Sequence, residues 1–158
     1  MVMNKRYITE EHMEKGILEI VSRMYADNWR PEYIVGITRG GLIPAVKMSH
    51  YTGIKMHTLD VRLRDGDIQE SNEWFQKQVK AGTKILVLDD INDTGETFKW
   101  ICKDWDIPTD NARWRNRSVR FAAIIDNIPS KFDVDYTSFE IDKSENPEWI
   151  VFPFEEWW

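Results

Sequence analysis

The sequence predicts an α/β fold, a mainly parallel twisted sheet flanked by helices, and three observations predict it. The runs YIVGI (33–37), KILVLDD (84–90) and VRFAAII (119–125) are apolar without polar alternation, the pattern of strands covered on both faces. Segments with helical spacing separate them, and strands alternating with helices imply right-handed crossovers and parallel pairing. Each run leads into polar residues, TRGG, DDINDTGET and DN, and in such sheets ligands sit beyond the carboxyl ends of the strands.

Along the chain, residues 10–26 set Met13, Ile17, Ile20, Val21 and Met24 at helical spacing after Thr9, whose hydroxyl suits an N-cap. YIVGI then forms a strand, TRGG a turn, and LIPAVKMSHYT a helix closed by Gly53. IKMHTLDV (54–61) reads as a strand. The polar stretch after it, RLRDGDIQESNEWFQKQVKAG, has no clear periodicity and predicts a mobile excursion. Beyond KILVLDD, Gly95 opens a helix through ETFKWICKDW with Phe98, Ile101, Cys102 and Trp105 on one face. VRFAAII ends at Asp126 and Asn127, and DYTSFEI and EWIVF supply two later short strands. No repeat, low-complexity tract or Ser/Gly linker interrupts the pattern, so residues 1–158 are expected to form a single domain.

The totals narrow the function. No apolar run approaches the roughly 18 residues of a membrane helix, so no membrane partner is expected. The segment MVMNKRYITEEHMEKG lacks the apolar core of an export signal, and the lone Cys102 has no partner within the chain, which together predict a cytoplasmic protein. A net charge of −6 argues against nucleic acid as the main partner. Arg113, Arg115, Arg117 and Arg120 cluster locally and are expected to form a solvated loop. Of eight tryptophans, Trp149, Trp157 and Trp158 crowd the last ten residues, where core or subunit-contact roles are expected.

The chemistry concentrates in ILVLDDINDTGETF (85–98). A turn at Gly95 that opens a helix leaves backbone N–H groups unpaired at the positive end of the dipole, a receptor for phosphate. Thr94 and Thr97 can add hydroxyls, while Glu96 need only face solvent. Taken alone, DTGET is equally compatible with a simple helix cap. Asp89 and Asp90, however, occupy consecutive strand positions, point to opposite faces, and cannot both serve that cap. Adjacent carboxylates suit sugar hydroxyls or a hard cation such as Mg²⁺. Amides for a phosphate and carboxylates for a diol make a receptor for a phosphorylated sugar.

This stretch resembles the phosphoribosyl-pyrophosphate (PRPP) motif of the type I phosphoribosyltransferases, in which apolar residues precede two acidic residues and D-x-x-D-T-G-x-T. VGITRGGLIPAVKMSHYTGIKMHT is similar to the family's pyrophosphate loop and following helix, and EWIVFPFE to the purine-binding segment of its xanthine-guanine (6-oxopurine) branch. The resemblance implies the type I fold with a small C-terminal hood and a mobile loop. It also implies Mg²⁺-dependent transfer of phosphoribose from PRPP to a purine base, with guanine, xanthine or hypoxanthine favoured, in purine salvage by a homo-oligomer, dimer or tetramer.

Residue by residue, Asp89 and Asp90 would hold the ribose hydroxyls and help place Mg²⁺, and Asp93, Thr94, Gly95, Glu96 and Thr97 would form the 5-phosphate loop. Asp93 would also face N7 of the purine as general acid or base. Thr38, Arg39, Gly40 and Gly41 would wrap the pyrophosphate, in a loop where the family often has a non-proline cis peptide. Trp149 would stack on the base, the Ile150 carbonyl would accept from an exocyclic amine, and Glu155 would be a further Mg²⁺ ligand. Relatives acting on 6-oxopurines carry a Lys at the end of the strand matching RFAAIIDN; here Asp126 and Asn127 stand instead. Asn127 is assigned to the base, where its amide can donate to O6 or accept from a 6-amino group, with Lys131 as an alternative cation. The excursion 62–76 lacks the family's Ser-Tyr pair, leaving Arg62 and Arg64 for pyrophosphate. Two other readings stay open: a PRPP-sensing regulator of the same fold, and a transferase for another base.

Overall fold

The computed structural model describes residues 3–61, 73–108 and 118–156. In chain order the elements are β1 (Asn4–Tyr7), α1 (Glu10–Ala26), β2 (Tyr33–Thr38), α2 (Leu42–Thr52), β3 (Lys55–Asp60) and α3 (Glu73–Lys80). They continue with β4 (Ile85–Asn92), α4 (Glu96–Asp104), β5 (Val119–Asn127), β6 (Tyr136–Ile141) and β7 (Glu148–Val151). Five strands form a wholly parallel sheet in the order β3-β2-β4-β5-β6. From the centre the chain runs outward through β2 to β3, then returns to the other side of β2 and continues through β4, β5 and β6. The order therefore reverses between β2 and β4, the place where an open α/β sheet leaves a crevice.

Helix boundaries follow from caps. Thr9 Oγ1 accepts from the His12 N–H at 3.1 Å to start α1, and Gly53 ends α2 at φ 72°, the left-handed geometry that glycine takes without a Cβ clash. The two sheet faces are covered by different helices. Met13, Ile17, Ile20 and Met24 of α1 and Met48 of α2 pack with Leu86, Leu88, Ala122 and Ile124. On the other face Phe98, Ile101 and Cys102 of α4, with Phe75 of α3, pack with Ile85, Val87, Phe121 and Ala123. Alternate residues of β4 thus serve opposite cores, which is why its sequence is apolar without interruption.

Three features depart from the sequence expectation. The strand β1, NKRY, is exposed along its length and carries no apolar signal, yet it pairs in parallel with β7 to make a separate two-stranded hood. Residues 73–80 are helical rather than part of an aperiodic excursion. Phe75 and Val79 lie one turn apart against the second core, and Trp74 packs at 4.4 Å from His57, but two apolar contacts in a long polar stretch leave little periodicity to read. Finally, Arg120 is not in a solvated loop. It lies over Trp29 at 4.8 Å and donates to Tyr136, whose hydroxyl donates to Asp27 at 2.9 Å. Arg62, Arg64, Arg113, Arg115, Arg117, Trp157 and Trp158 lie outside the described residues.

Among the described residues, no helix is long and apolar enough to cross a membrane.

Candidate active site

The crevice between β2 and β4 is lined by the polar ends of both strands. At the end of β2 the Thr38–Arg39 peptide bond is cis, and Thr38 Oγ1 donates to Asp60 Oδ1 at 3.2 Å. The Gly41 N–H is engaged internally, donating to the Ile37 carbonyl at 2.8 Å. The glycines here are imposed by packing. A Cβ on Gly40 would sit 2.2 Å from Asp90 Oδ2, and one on Gly41 would sit 2.3 Å from the Leu88 carbonyl, separations no side chain tolerates.

At the end of β4 the alternation that sends Leu88 and Val87 to opposite cores continues through Asp89 and Asp90, yet both reach the same cavity because it straddles the strand end. Asp89 Oδ1 accepts the Asp90 N–H at 2.9 Å and Asp90 Oδ1 accepts the Ile91 N–H at 2.7 Å, which fixes both rotamers. Burial pushes the Asp89 carboxyl well above the usual carboxylate range, and the Asp90 charge beside it adds to the shift. Burial also raises Asp90, with its hydrogen bonds pulling the other way. Glu155 is raised as well, first by burial and then by the Asp90 charge.

The cavity, about 700 Å³, is lined by Thr38, Arg39 and Gly40 from the β2 end, Asp89 and Asp90 from β4, Thr97 from α4, and Trp149, Phe154 and Glu155 from the hood. Ile37 and Val61 supply apolar wall. Among these, Arg39 carries the one positive charge, facing three carboxylates. An oxygen-only donor set of this kind suits a hard cation. Among the described residues no three His, Cys, Asp or Glu side chains gather closely enough to hold a metal by themselves. That fits an ion held by one or two carboxylates with water and substrate oxygens completing its shell, the usual habit of Mg²⁺.

Beside the cavity, Gly95 takes φ 88° and starts α4, while a Cβ there would lie 2.7 Å from Phe132 Cβ. Thr94 Oγ1 accepts the Glu96 N–H at 3.3 Å, and the Thr94 carbonyl accepts the Lys131 N–H at 3.1 Å. The Lys131 residue is exposed. Asn127 is buried, and its amide is divided among its own chain. Nδ2 donates to the Asp93 carbonyl at 2.9 Å and to Asp93 Oδ1 at 3.2 Å, while Oδ1 accepts the Lys143 N–H at 3.0 Å. Asp126 turns to Asn92, whose Nδ2 donates to it at 2.8 Å.

A profile of the phosphoribosyl transferase domain matches residues 4–157. The chain belongs to the phosphoribosyl transferase domain family. A curated relative, xanthine-guanine phosphoribosyltransferase of Cereibacter sphaeroides, is 34% identical over 87 residues, which are 48% of this chain and 48% of that protein. The matched region thus spans about half the length of that relative. Two solved structures share the phosphoribosyltransferase fold. The purine phosphoribosyltransferase of Pyrococcus horikoshii superposes with a TM-score of 0.70 at 24% identity over 98% of this chain and 96% of that one. The xanthine-guanine-hypoxanthine phosphoribosyltransferase of Helicobacter pylori gives 0.70 at 20% identity over 98% and 94%.

Within this phosphoribosyltransferase fold the cavity brings together Thr38, Arg39, Gly40, Asp89, Asp90, Thr97, Trp149 and Glu155. Asp93 and Asn127 are hydrogen-bonded to each other outside the residues that line it, whereas Gly41 and Ile150 are buried in the β2–α2 turn and in β7. The residue that sequence reasoning missed is Lys143. Its Nζ donates to Asp93 Oδ2 at 3.0 Å and lies 5.9 Å from the Trp149 ring centre. In the sequence it sits in IDKSENPEW, a polar connection with no motif to mark it.

Proposed function

We propose that the chain catalyses Mg²⁺-dependent transfer of phosphoribose from PRPP to a purine base, with guanine, xanthine and hypoxanthine favoured, yielding a nucleoside 5′-monophosphate and pyrophosphate. One observation carries the reading: a pair of carboxylates, Asp90 buried and Asp89 partly so, and an Arg-Gly turn line a single cavity at the switch point of the sheet, with Thr97 of the first turn of α4 beside them. The names of the relatives agree with it.

The division of labour follows from charge. The first-turn amides of α4, with Thr94, Gly95, Glu96 and Thr97, take the 5-phosphate, favoured there by the dipole. Asp89 and Asp90 accept from the ribose hydroxyls. As the bond to pyrophosphate breaks, positive charge develops on the ribose ring, and the same two carboxylates supply the negative field that favours it. Arg39 and the amide of Gly40 meet the departing oxygens, with Thr38 and Gly41 holding the turn in shape. Asp89, Asp90 and Glu155 would offer carboxylates to Mg²⁺, one or two to an ion with water and substrate oxygens completing its shell, and the metal when bound neutralises pyrophosphate charge. Trp149 stacks on the base, the Ile150 carbonyl accepts from an exocyclic amine, and Asp93 moves the proton at N7. Asn127 acts on the base through Asp93. In this reading residues 1–158 form one catalytic domain of a cytoplasmic purine-salvage enzyme that assembles as a dimer or tetramer.

The test is pyrophosphate release from PRPP and Mg²⁺ with each of guanine, xanthine, hypoxanthine, adenine and uracil. Release with an oxopurine supports the reading, and silence with every base removes it. Asp93→Asn should retain PRPP binding and lose on the order of 10²-fold in turnover, the scale of a lost general acid/base.

A further inference from the structure

We infer that Lys143 reads the 6-position of the base, so that the connection between β6 and β7 selects oxopurines over aminopurines. The inference rests on the proposed placement of a purine between Trp149 and Asp93 and goes beyond it by naming the residue that chooses among purines. Lys143 is held at both ends. Its N–H is fixed by Asn127 Oδ1 at 3.0 Å, and its ammonium lies 3.0 Å from Asp93 Oδ2. The turn that presents it is pinned by Asp142, which accepts the Ser144 and Glu145 N–H groups at 2.9 and 3.3 Å. Its side chain is only 21% exposed. The ammonium also lies beside the indole of Trp149, a half-exposed ring that lines the cavity.

The chemistry of the purine edge gives this pair its meaning. N7 and the substituent at position 6 are neighbours on one edge of the ring. In guanine both are acceptors, whereas adenine presents an N7 acceptor beside an amino donor. Before transfer the free base carries a proton on N7, the one Asp93 moves, so a carboxylate and an ammonium side by side match that edge in one orientation: Asp93 accepts from N7–H and Lys143 donates to the 6-substituent. An oxygen there accepts from the ammonium. An amino group would set donor against donor and leave the ammonium without an acceptor on the base, the arrangement by which a polar site rejects an analogue. Asn127 does not donate to O6, because its Nδ2 donors are already given to Asp93.

Titration calorimetry of the full chain with GMP and with AMP, paired with transfer kinetics on guanine and adenine, decides it. The wild type should favour GMP. Lys143→Met should weaken GMP by on the order of 10- to 100-fold, the worth of a hydrogen bond from a charged donor, and leave AMP unchanged or tighter. Lys143→Arg should keep most of the preference. If GMP and AMP weaken equally in Lys143→Met, the lysine merely positions Asp93 and the inference is overturned. It is likewise overturned if neither changes, if the wild type favours AMP, or if it binds neither nucleotide. Lysine-dependent GMP binding without any pyrophosphate release would uphold the inference while removing the proposed transferase.

Discussion

Asn127→Ala separates a residue that contacts the base from one that organises the groups that do. The buried amide makes three hydrogen bonds, at 2.9, 3.2 and 3.0 Å, joining the Asp93 backbone, the Asp93 carboxylate and the Lys143 backbone. At about 1 kcal/mol net for each bond, truncation should cost about 3 kcal/mol of stability. For a chain of this size that corresponds to a fall in Tm of roughly 6–12 °C. Asp93 then loses the partner that holds Oδ1, and kcat should fall on the order of 10-fold for every base, part of the factor that a positioned acid/base group contributes. Asn127→Asp should lower kcat further at similar size, because it keeps the acceptor for Lys143 but turns a carboxylate oxygen toward the Asp93 carbonyl and carboxylate. Thermal denaturation and initial rates of pyrophosphate release measure the two effects separately. Unchanged Tm and kcat with a switched base preference would refute the reasoning, since Asn127 would then be reading the base itself.

Two further perturbations test the other side of the cavity. Gly40→Ala brings a methyl to 2.2 Å from Asp90 Oδ2, a carboxylate pinned by the Ile91 N–H. The strain of about 1–3 kcal/mol expected for overpacking should raise the KM for PRPP more than that for the base, which steady-state kinetics with each substrate varied in turn will show. The second concerns pH. The Asp89 and Asp90 carboxyls are raised in the folded chain, chiefly by burial. A raised carboxyl leaves stability intact below the unfolded value and removes it as pH rises through the folded one. Asp89→Asn should therefore raise the Tm of the ligand-free protein at neutral pH, and the gain should vanish as pH drops below the usual carboxylate range. A gain that persists at acid pH would mean that packing rather than charge is responsible.

What the sequence made legible, and what it did not, divides by how local the cause is. The strands β2, β4 and β5 were readable because each is buried on both faces, which forces an unbroken apolar run. Strand β1 was not, because its whole length is exposed and its place is set by pairing with a strand at the far end of the chain. The same rule applies to the site. The proposed PRPP groups Asp89, Asp90 and Thr94–Thr97 lie within one strand end and one helix start, so nearest-neighbour geometry dictates where they point. The need for glycine at position 40 was readable as close approach to a ligand, but its steric cause is Asp90, brought beside it only when β2 and β4 pair.

The base side is the opposite case. Asp93, Asn127, Lys143 and Trp149 come from the turn after β4, the end of β5, the β6–β7 connection and β7, and no spacing rule relates them. From sequence, a polar residue at a strand end is expected to face the ligand, and that rule assigns Asn127 to the base. In the fold both Asn127 N–H groups go to Asp93 and its oxygen accepts the Lys143 N–H, while the ammonium beside Asp93 comes from a connection that reads as plain surface. On the inference drawn for Lys143, base choice rests on three segments held in register by one buried amide. Substitutions that change it should then cluster around the Asp93–Asn127–Lys143 linkage rather than within the contiguous motif at residues 89–97.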